Sequence, residues 1–386
     1  MVISVKPYHI HIPTDIYFGR NIWEESLKNI SYLLNGNIMI ATTGRSLVRL
    51  GYLENLKKGI ARCPMVRNIT VFDKISANPK LSEAKEGIEL AVKTRTDVII
   101  GFGGGSAMDM AKAIALGAGA EDSIEEYFYG NKQAGTEALP VIAVPTTAGT
   151  GSELSRAAII TDAEKKVKKG IRGDALYPKA AVVDSAFTES VPFDITMQTG
   201  FDVLAHAMES YISKAASPYT QMQSEYAIKT VGEMLSRLSM DLMDAEARKN
   251  MSYASMIMGI NLGNASTGLP HRLQYPLGAC TDTSHGTGLA ALYCAWIYYE
   301  YKYSRSKVER MMSILAGRNI QGEDECIQTM QDFVSSLQLP GTLKALGIDR
   351  EQLSGMAETV SGNLLNDPAS QEQDIIIKIY ERAWGD

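Results

Sequence analysis

Cysteine and histidine are scarce in this chain, four and five among 386 residues. The cysteines (Cys63, Cys280, Cys294 and Cys326) are scattered with no C-x-x-C spacing, so neither a thiolate metal knot nor a disulfide framework is suggested. They read as free thiols packed as small hydrophobes in a reducing cytoplasm. Positive charge is not in excess: Lys and Arg total 38 against 44 Asp and Glu, a net charge of −6, which argues against a nucleic-acid or anionic-membrane surface. No basic segment leads into an apolar core as in a signal peptide, and no apolar run reaches transmembrane length. Internal repeats and low-complexity stretches are also missing. What is left is a composition of 45% apolar and 21% charged residues, ordinary for a soluble globular protein and long enough for two domains.

The order of the chain divides in the same way. Residues 8–18 alternate polar and apolar and read as a β-ribbon or edge strand, with His9 and His11 on one face. Short apolar runs then follow at 38–41, 69–72, 98–101 and 141–144, separated by amphipathic stretches such as 82–92. Strands alternating with helices imply a parallel sheet with right-handed crossovers, which binds ligands beyond the carboxyl ends of its strands. Strand signals stop near residue 188. Helices are predicted at 196–213, 219–240, 244–263, about 285–300, 306–317, 323–337, 350–361 and 370–384. The expectation is an α/β domain over 1–188, an all-helical domain over 189–386, and a site in the cleft between them.

Three stretches carry chemistry. Gly103-Gly104-Gly105-Ser106 lies between the strand ending near 101 and the helix holding Asp109; glycines let a backbone approach a ligand, and a helix start offers free N–H groups to phosphate oxygens. Thr146-Thr147-Ala-Gly-Thr150-Gly-Ser152 follows the next strand and repeats that design. Asp202 and His206, four apart, share a helix face, and His271 and His285 lie downstream. Imidazole is the commonest neutral metal ligand. One Asp and three His, all N and O donors, admit Fe(II), Zn(II), Co(II), Mn(II) or Ni(II).

Taken in order, Gly103-Gly-Gly-Ser-Ala-Met-Asp109, Pro145-Thr-Thr-Ala-Gly-Thr-Gly-Ser-Glu153, Thr199-Gly-Phe-Asp202-Val-Leu-Ala-His206-Ala-Met-Glu209 and the 271–285 stretch resemble the signature segments of the iron-containing, group III alcohol dehydrogenases. The resemblance extends to Leu339-Pro-Gly-Thr-Leu and Asn366-Asp-Pro. It implies a Rossmann-like domain followed by a helical metal domain, the architecture also found in dehydroquinate synthase. It implies NAD- or NADP-linked interconversion of a small alcohol and aldehyde. Asp202, His206, His271 and His285 fall on the four metal-ligand positions, with Fe(II) favoured over Zn(II) because four protein ligands plus a substrate oxygen suit a five- or six-coordinate ion. Lys168 matches a lysine near the cofactor, and a homodimer through the N-terminal ribbon is implied. The alternatives are a glycerol-dehydrogenase-like zinc enzyme, a dehydroquinate-synthase-like lyase, or a binding protein without catalysis.

Two positions depart from the family. Tyr275 stands where members commonly carry a second histidine, and its hydroxyl could relay a proton or orient substrate. Arg272 replaces a small residue and could pair with a phosphonate, phosphate or carboxylate on the substrate. Cofactor choice turns on Thr43-Gly44-Arg45-Ser46 after the first strand: an acidic residue there would repel a 2′-phosphate, and none is present, which leans toward NADP.

Overall fold

The computed structural model describes residues 7–43 and 45–385, and of Arg45 the backbone alone. Gly44 and the Arg45 side chain, both expected near a cofactor, lie outside the described residues. The chain forms two compact units, residues 12–191 in one and residues 7–11 with 192–385 in the other.

In the first unit the elements run β1 (Asp15–Gly19), α1 (Trp23–Ile30), β2 (Gly36–Thr42), α2 (Arg45–Arg49), α3 (Tyr52–Ala61), β3 (Val66–Phe72), α4 (Leu81–Lys93), β4 (Val98–Gly103), α5 (Gly105–Gly119), α6 (Ile124–Tyr129), β5 (Val141–Pro145), β6 (Ala157–Asp162), β7 (Val167–Arg172) and β8 (Ala180–Asp184). Six strands make one parallel sheet in the order β1-β8-β5-β4-β2-β3, and β6 and β7 form a separate antiparallel hairpin. The central strands β4, β5 and β8 are buried along their whole length. Helices cover both faces of such a sheet, so its strands are runs of apolar residues rather than alternating ones. Their Ile and Val side chains each contribute roughly 1.5–3 kcal/mol on burial.

Pairing explains the elements that differ from expectation. Within 8–18 only Asp15–Gly19 is a strand, and it is a sheet edge; Pro13 before it has no N–H to donate to a ladder. β8 is a run of small apolar residues whose strand character comes from its neighbours β1 and β5. The lysines at 165–169 divide between an exposed turn, Lys165 and Lys166, and strand β7 of the β6–β7 hairpin, where Lys168 is buried opposite Thr161.

The second unit is helical: α7 (Phe193–Ile212), α8 (Pro218–Met240), α9 (Ala245–Asn264), α10 (Leu269–Thr281), α11 (His285–Ala316), α12 (Glu323–Ser336), α13 (Gln352–Glu358) and α14 (Ile375–Trp384). Residues 7–11 belong with it: the His11 N–H donates to Asn264 Oδ1 at 2.8 Å, and Asn264 Nδ2 donates back to His11 O at 3.2 Å. The two predicted helices at 285–300 and 306–317 are one helix, α11, interrupted by non-helical Ser304. The α10 helix has no counterpart among the helices expected from sequence, because Pro276 inside it removes a backbone donor and argues against a helix. Among the described residues no helix is long and apolar enough to cross a membrane.

Candidate metal centre and cofactor loops

The two ends of α10 and one face of α7 build the polar cluster of the helical unit. Asp202, His206 and Glu209 stand at i, i+4 and i+7 on α7, one above another on one helix face, and all three are buried. The start of α10 is fixed by carboxylates. Gly268 N–H donates to Glu209 Oε2 at 2.7 Å and Leu269 N–H to Asp367 Oδ2 at 2.9 Å, satisfying two of the donors every helix start leaves over. A Cβ on Gly268 would lie 2.4 Å from Asp367 Oδ2, so only glycine admits this approach. These bonds deliver His271 to α7. His285, the first residue of α11, completes the group.

Asp202 Oδ1 lies 3.4 Å from His271 Nε2, 3.6 Å from His285 Nε2 and 3.7 Å from His206 Nε2. The Asp202, His271 and His285 ligand atoms are all within 4.8 Å of one another. The His206 ring stacks on His271, with centroids 4.5 Å apart. Asp202 Oδ1 and His271 Nε2 are both buried without a hydrogen-bond partner, and such atoms are costly unless something joins them. Edges of this length are those between ligands each about 2.1 Å from a common ion. The donor set therefore fits a divalent metal.

The surroundings fit it too. Glu209 Oε1 accepts from His271 Nδ1 at 2.7 Å, and Gln274 Oε1 accepts from His285 Nδ1 at 2.5 Å. A carboxylate or amide oxygen can only accept, so each bond places a proton on Nδ1 and turns Nε2 toward Asp202. Tyr293 braces Glu209, its hydroxyl donating to Ala205 O at 3.0 Å and Glu209 Oε1 at 3.3 Å. Burial works to raise the Asp202 carboxyl, but the imidazoles of His206, His285 and His271 outweigh it and hold the group well below the usual carboxylate range. Burial likewise works to lower His271, yet Glu209 and Asp202 prevail and push it up to about 10. The His271 shift reports a negative potential from Glu209 and Asp202 that favours a cation at its imidazole, and the Asp202 shift reports the complementary attraction of that carboxylate for positive charge beside it. The sequence motifs did not single out Glu209 or Gln274, though both were within reach: Glu209 is three residues after His206, and Gln274 three after His271, the spacings that share a helix face.

Tyr275 is also on α10, its ring nearly parallel to that of His285 with centroids 6.3 Å apart. Arg272 is buried, with its Cζ 5.8 Å from the Tyr275 ring centroid.

In the α/β unit the glycine and threonine loops lie side by side. β4 and β5 pair with Gly103 opposite Pro145, and Thr146 N–H donates to Gly103 O at 2.9 Å. A Cβ on Gly105 would come within 2.6 Å of Thr150, and one on Gly104 within 3.2 Å of Thr147 Oγ1. Gly103 has a φ of +153° and stands 3.5 Å, from its Cβ position, from Thr43 Oγ1. The loops after β2, β4 and β5 thus meet at the carboxyl edge where the strand order turns from β3 to β4 across β2, the switch point at which such sheets take ligands. Thr147 and Thr150 are partly exposed there, Thr146 is buried, and Ser46 is exposed on α2. Ser106 donates to Ala77 O at 2.5 Å. Lys168 reaches Asn78 Oδ1 at 2.9 Å.

Asp109 and Ser152 are placed differently. Asp109 is buried and accepts from Ser152 Oγ at 2.5 Å and from Ile159 N–H at 3.0 Å, so its side chain braces the second loop. Lys112, unmarked by any sequence motif, completes that brace. It is fully buried, with Nζ donating to Ser152 O and Oγ, Ser155 O and Oγ and Ala157 O at 2.6–3.1 Å.

A parallel-sheet unit with phosphate-type loops and a helical unit with a buried Asp–His cluster define a metal-dependent, nicotinamide-linked oxidoreductase. Comparison with known proteins agrees. Residues 13–185 match the iron-containing alcohol dehydrogenase family and residues 196–384 its C-terminal domain; the chain belongs to that family, whose members are oxidoreductases acting on CH–OH groups. It is 30% identical to a 1,3-propanediol dehydrogenase of Klebsiella pneumoniae over 99% of this chain and 100% of that one. It is 27% identical to an NADPH-dependent butanol dehydrogenase of Clostridium saccharobutylicum, covering 96% of each. The crystal structure of sulfoacetaldehyde reductase from Bifidobacterium kashiwanohense in complex with NAD+ is similar with a TM-score of 0.87 and 27% identity, covering 98% of this chain and 99% of that one.

Proposed function

We propose that this protein reduces a small aldehyde, or oxidises the corresponding alcohol, with a divalent ion held by Asp202, His206, His271 and His285, iron in preference to zinc. The observation that carries the reading is the pair of buried atoms Asp202 Oδ1 and His271 Nε2, 3.4 Å apart and without a hydrogen-bond partner, with His271 braced from behind by Glu209 and two more imidazoles beside them. When bound there, the ion supplies Lewis acidity to the substrate oxygen. The nicotinamide supplies or takes the hydride.

The chain's own residues do the rest. Glu209 and Gln274 fix the two imidazoles in the tautomer that presents Nε2. The hydroxyl of Tyr275, beside His285, orients substrate or relays its proton. The loops at Thr43–Ser46, Gly103–Ser106 and Thr146–Ser152, with Lys168, receive the dinucleotide; Asp109 and Ser152 do so indirectly, by fixing loop shape. The lack of an acid in Thr43–Ser46 supports NADP over NAD. The sulfoacetaldehyde reductase relative suggests that a substrate of this chain too can carry charge. The four cysteines are free, in keeping with a cytoplasmic enzyme, and we extend the proposal to a homodimer.

The test is an aldehyde and alcohol panel with both cofactors after loading with Fe(II), Zn(II), Co(II), Mn(II) or Ni(II), read as reduced nicotinamide. Metal-dependent turnover with at least one small aldehyde is expected. Full turnover by metal-free protein would overturn the reading, and sedimentation decides the dimer.

A further inference from the structure

Arg272 stands one residue beyond His271 and is only 4% exposed. A guanidinium stays protonated in any protein, and a buried charge is costly unless paired. Among the described residues this one has no ion pair. Its single hydrogen bond runs from Nη2 to Ser266 Oγ at 3.5 Å, the outer limit for such a contact, and Nε is buried with no partner. The Tyr275 ring, 5.8 Å from Cζ, gives a weak attraction that does not satisfy a donor. Gly362 packs against it: at its φ of +102°, a backbone conformation that favours glycine, a Cβ would come within 3.1 Å of Arg272 Cδ and 3.2 Å of Nε, so a larger residue would press on the Arg272 side chain. Tyr275 neighbours both this fork of donors and the metal cluster: its ring centroid lies 5.8 Å from Arg272 Cζ and 6.3 Å from the His285 ring centroid.

We propose that Arg272 is a specificity residue that binds an oxyanion group (sulfonate, phosphonate or carboxylate) on a two- or three-carbon aldehyde or alcohol whose oxygen end faces Asp202, His271 and His285. This rests on the reading of the cluster as a site for small aldehydes. The planar guanidinium meets two oxygens of such a group at once. In a site removed from water the attraction is stronger than at the surface. A short carbon chain suits a guanidinium and an imidazole that share one neighbouring ring.

The experiment uses metal-loaded protein in two arms. In the first, kcat/KM is compared for 2-oxoethanesulfonate, 2-oxoethylphosphonate and 3-oxopropanoate against propanal. At least a 30-fold preference for one of the anions is expected, falling at least 30-fold in Arg272→Met and to an intermediate value in Arg272→Lys, which keeps the charge without the fork. Equal efficiencies in the native protein, or an unchanged ratio in Arg272→Met, would overturn the proposal. In the second arm, binding of 2-hydroxyethanesulfonate, 2-hydroxyethylphosphonate and 3-hydroxypropanoate is measured by calorimetry and melting temperature, with propan-1-ol as the neutral control. Binding of at least one anion that weakens ten-fold or more in Arg272→Met supports the proposal; binding of none, or equal binding by the variant, refutes it. If no aldehyde is turned over, the functional reading fails while the second arm still decides for Arg272. Should Arg272→Met not fold, Arg272→Lys carries both readouts.

Discussion

Two buried cations, one in each unit, are treated in opposite ways. Lys112 of the α/β unit is fully buried among five oxygens at 2.6–3.1 Å. Arg272 of the helical unit is nearly as buried and has one long hydrogen bond. The acids repeat the contrast: Asp109 accepts from Ser152 and Ile159, whereas Asp202 Oδ1 has no hydrogen-bond partner. A buried polar group that is satisfied within the chain holds a shape, here the loop after β5. A group left unsatisfied costs stability, and it persists where a ligand completes it. By this criterion Lys112 and Asp109 belong to the scaffold, whereas Arg272 and Asp202 are groups that a ligand would complete.

The contrast breaks most sharply at the histidines. His271→Ala or His285→Ala is expected to reduce metal content to background and turnover by at least about 10³-fold, measured by elemental analysis and cofactor oxidation, with little loss of fold. Lys112→Met should do the reverse. Stripping five acceptors of their donor is expected to cost about 3–5 kcal/mol in denaturant titrations while metal stoichiometry is retained. If the variant melts like the native protein, Lys112 is not the brace the comparison makes it.

The smaller effects sharpen the boundary between scaffold and site. Glu209→Gln keeps the shape of the partner on His271 Nδ1 but not its charge, and should weaken metal binding by about 10- to 100-fold in chelator competition. The buried carboxyls Glu300 and Asp367 supply a test read as a slope in pH. Burial, then the neighbouring Asp367, pushes the Glu300 carboxyl up, so the folded state holds on this pair a proton that the unfolded chain releases above the ordinary carboxylate range. Stability from this proton is complete below the ordinary carboxylate range and is lost as pH rises through the raised one. Glu300→Gln should flatten that decline, by at most about 1.4 kcal/mol per pH unit; an unchanged slope in melts between pH 5 and 9 would show that the proton lies elsewhere.

Periodicity made the main architecture legible. The apolar runs at 38–41, 69–72, 98–101 and 141–144 became β2, β3, β4 and β5, and the amphipathic stretches after 192 became helices. Elements that depend on a neighbour were not visible in this way. β8 is short and α10 contains Pro276, so local propensity argues against a helix there, and the helix is held at its start by Glu209 and Asp367 from other segments. The site was legible in its donors and silent about their supports. The motifs pointed to Asp202, His206, His271 and His285, while Gln274 and Lys112 draw their meaning from partners 11 and 40 to 45 residues away.

What the sequence determined by itself is the identity and order of the reactive groups: which loops carry glycine and threonine, which four residues are N and O donors, and that Arg272 and Tyr275 stand between two of them. Those are local properties, fixed by spacing along a helix or after a strand. Only the tertiary structure decided which polar groups are satisfied. Asp109 and Asp202 look alike on paper, each an acid in a helix with a basic residue one turn on. Packing gave one of them a serine and a strand N–H and left the other facing three imidazoles, because burial and hydrogen bonding depend on what the rest of the chain brings close.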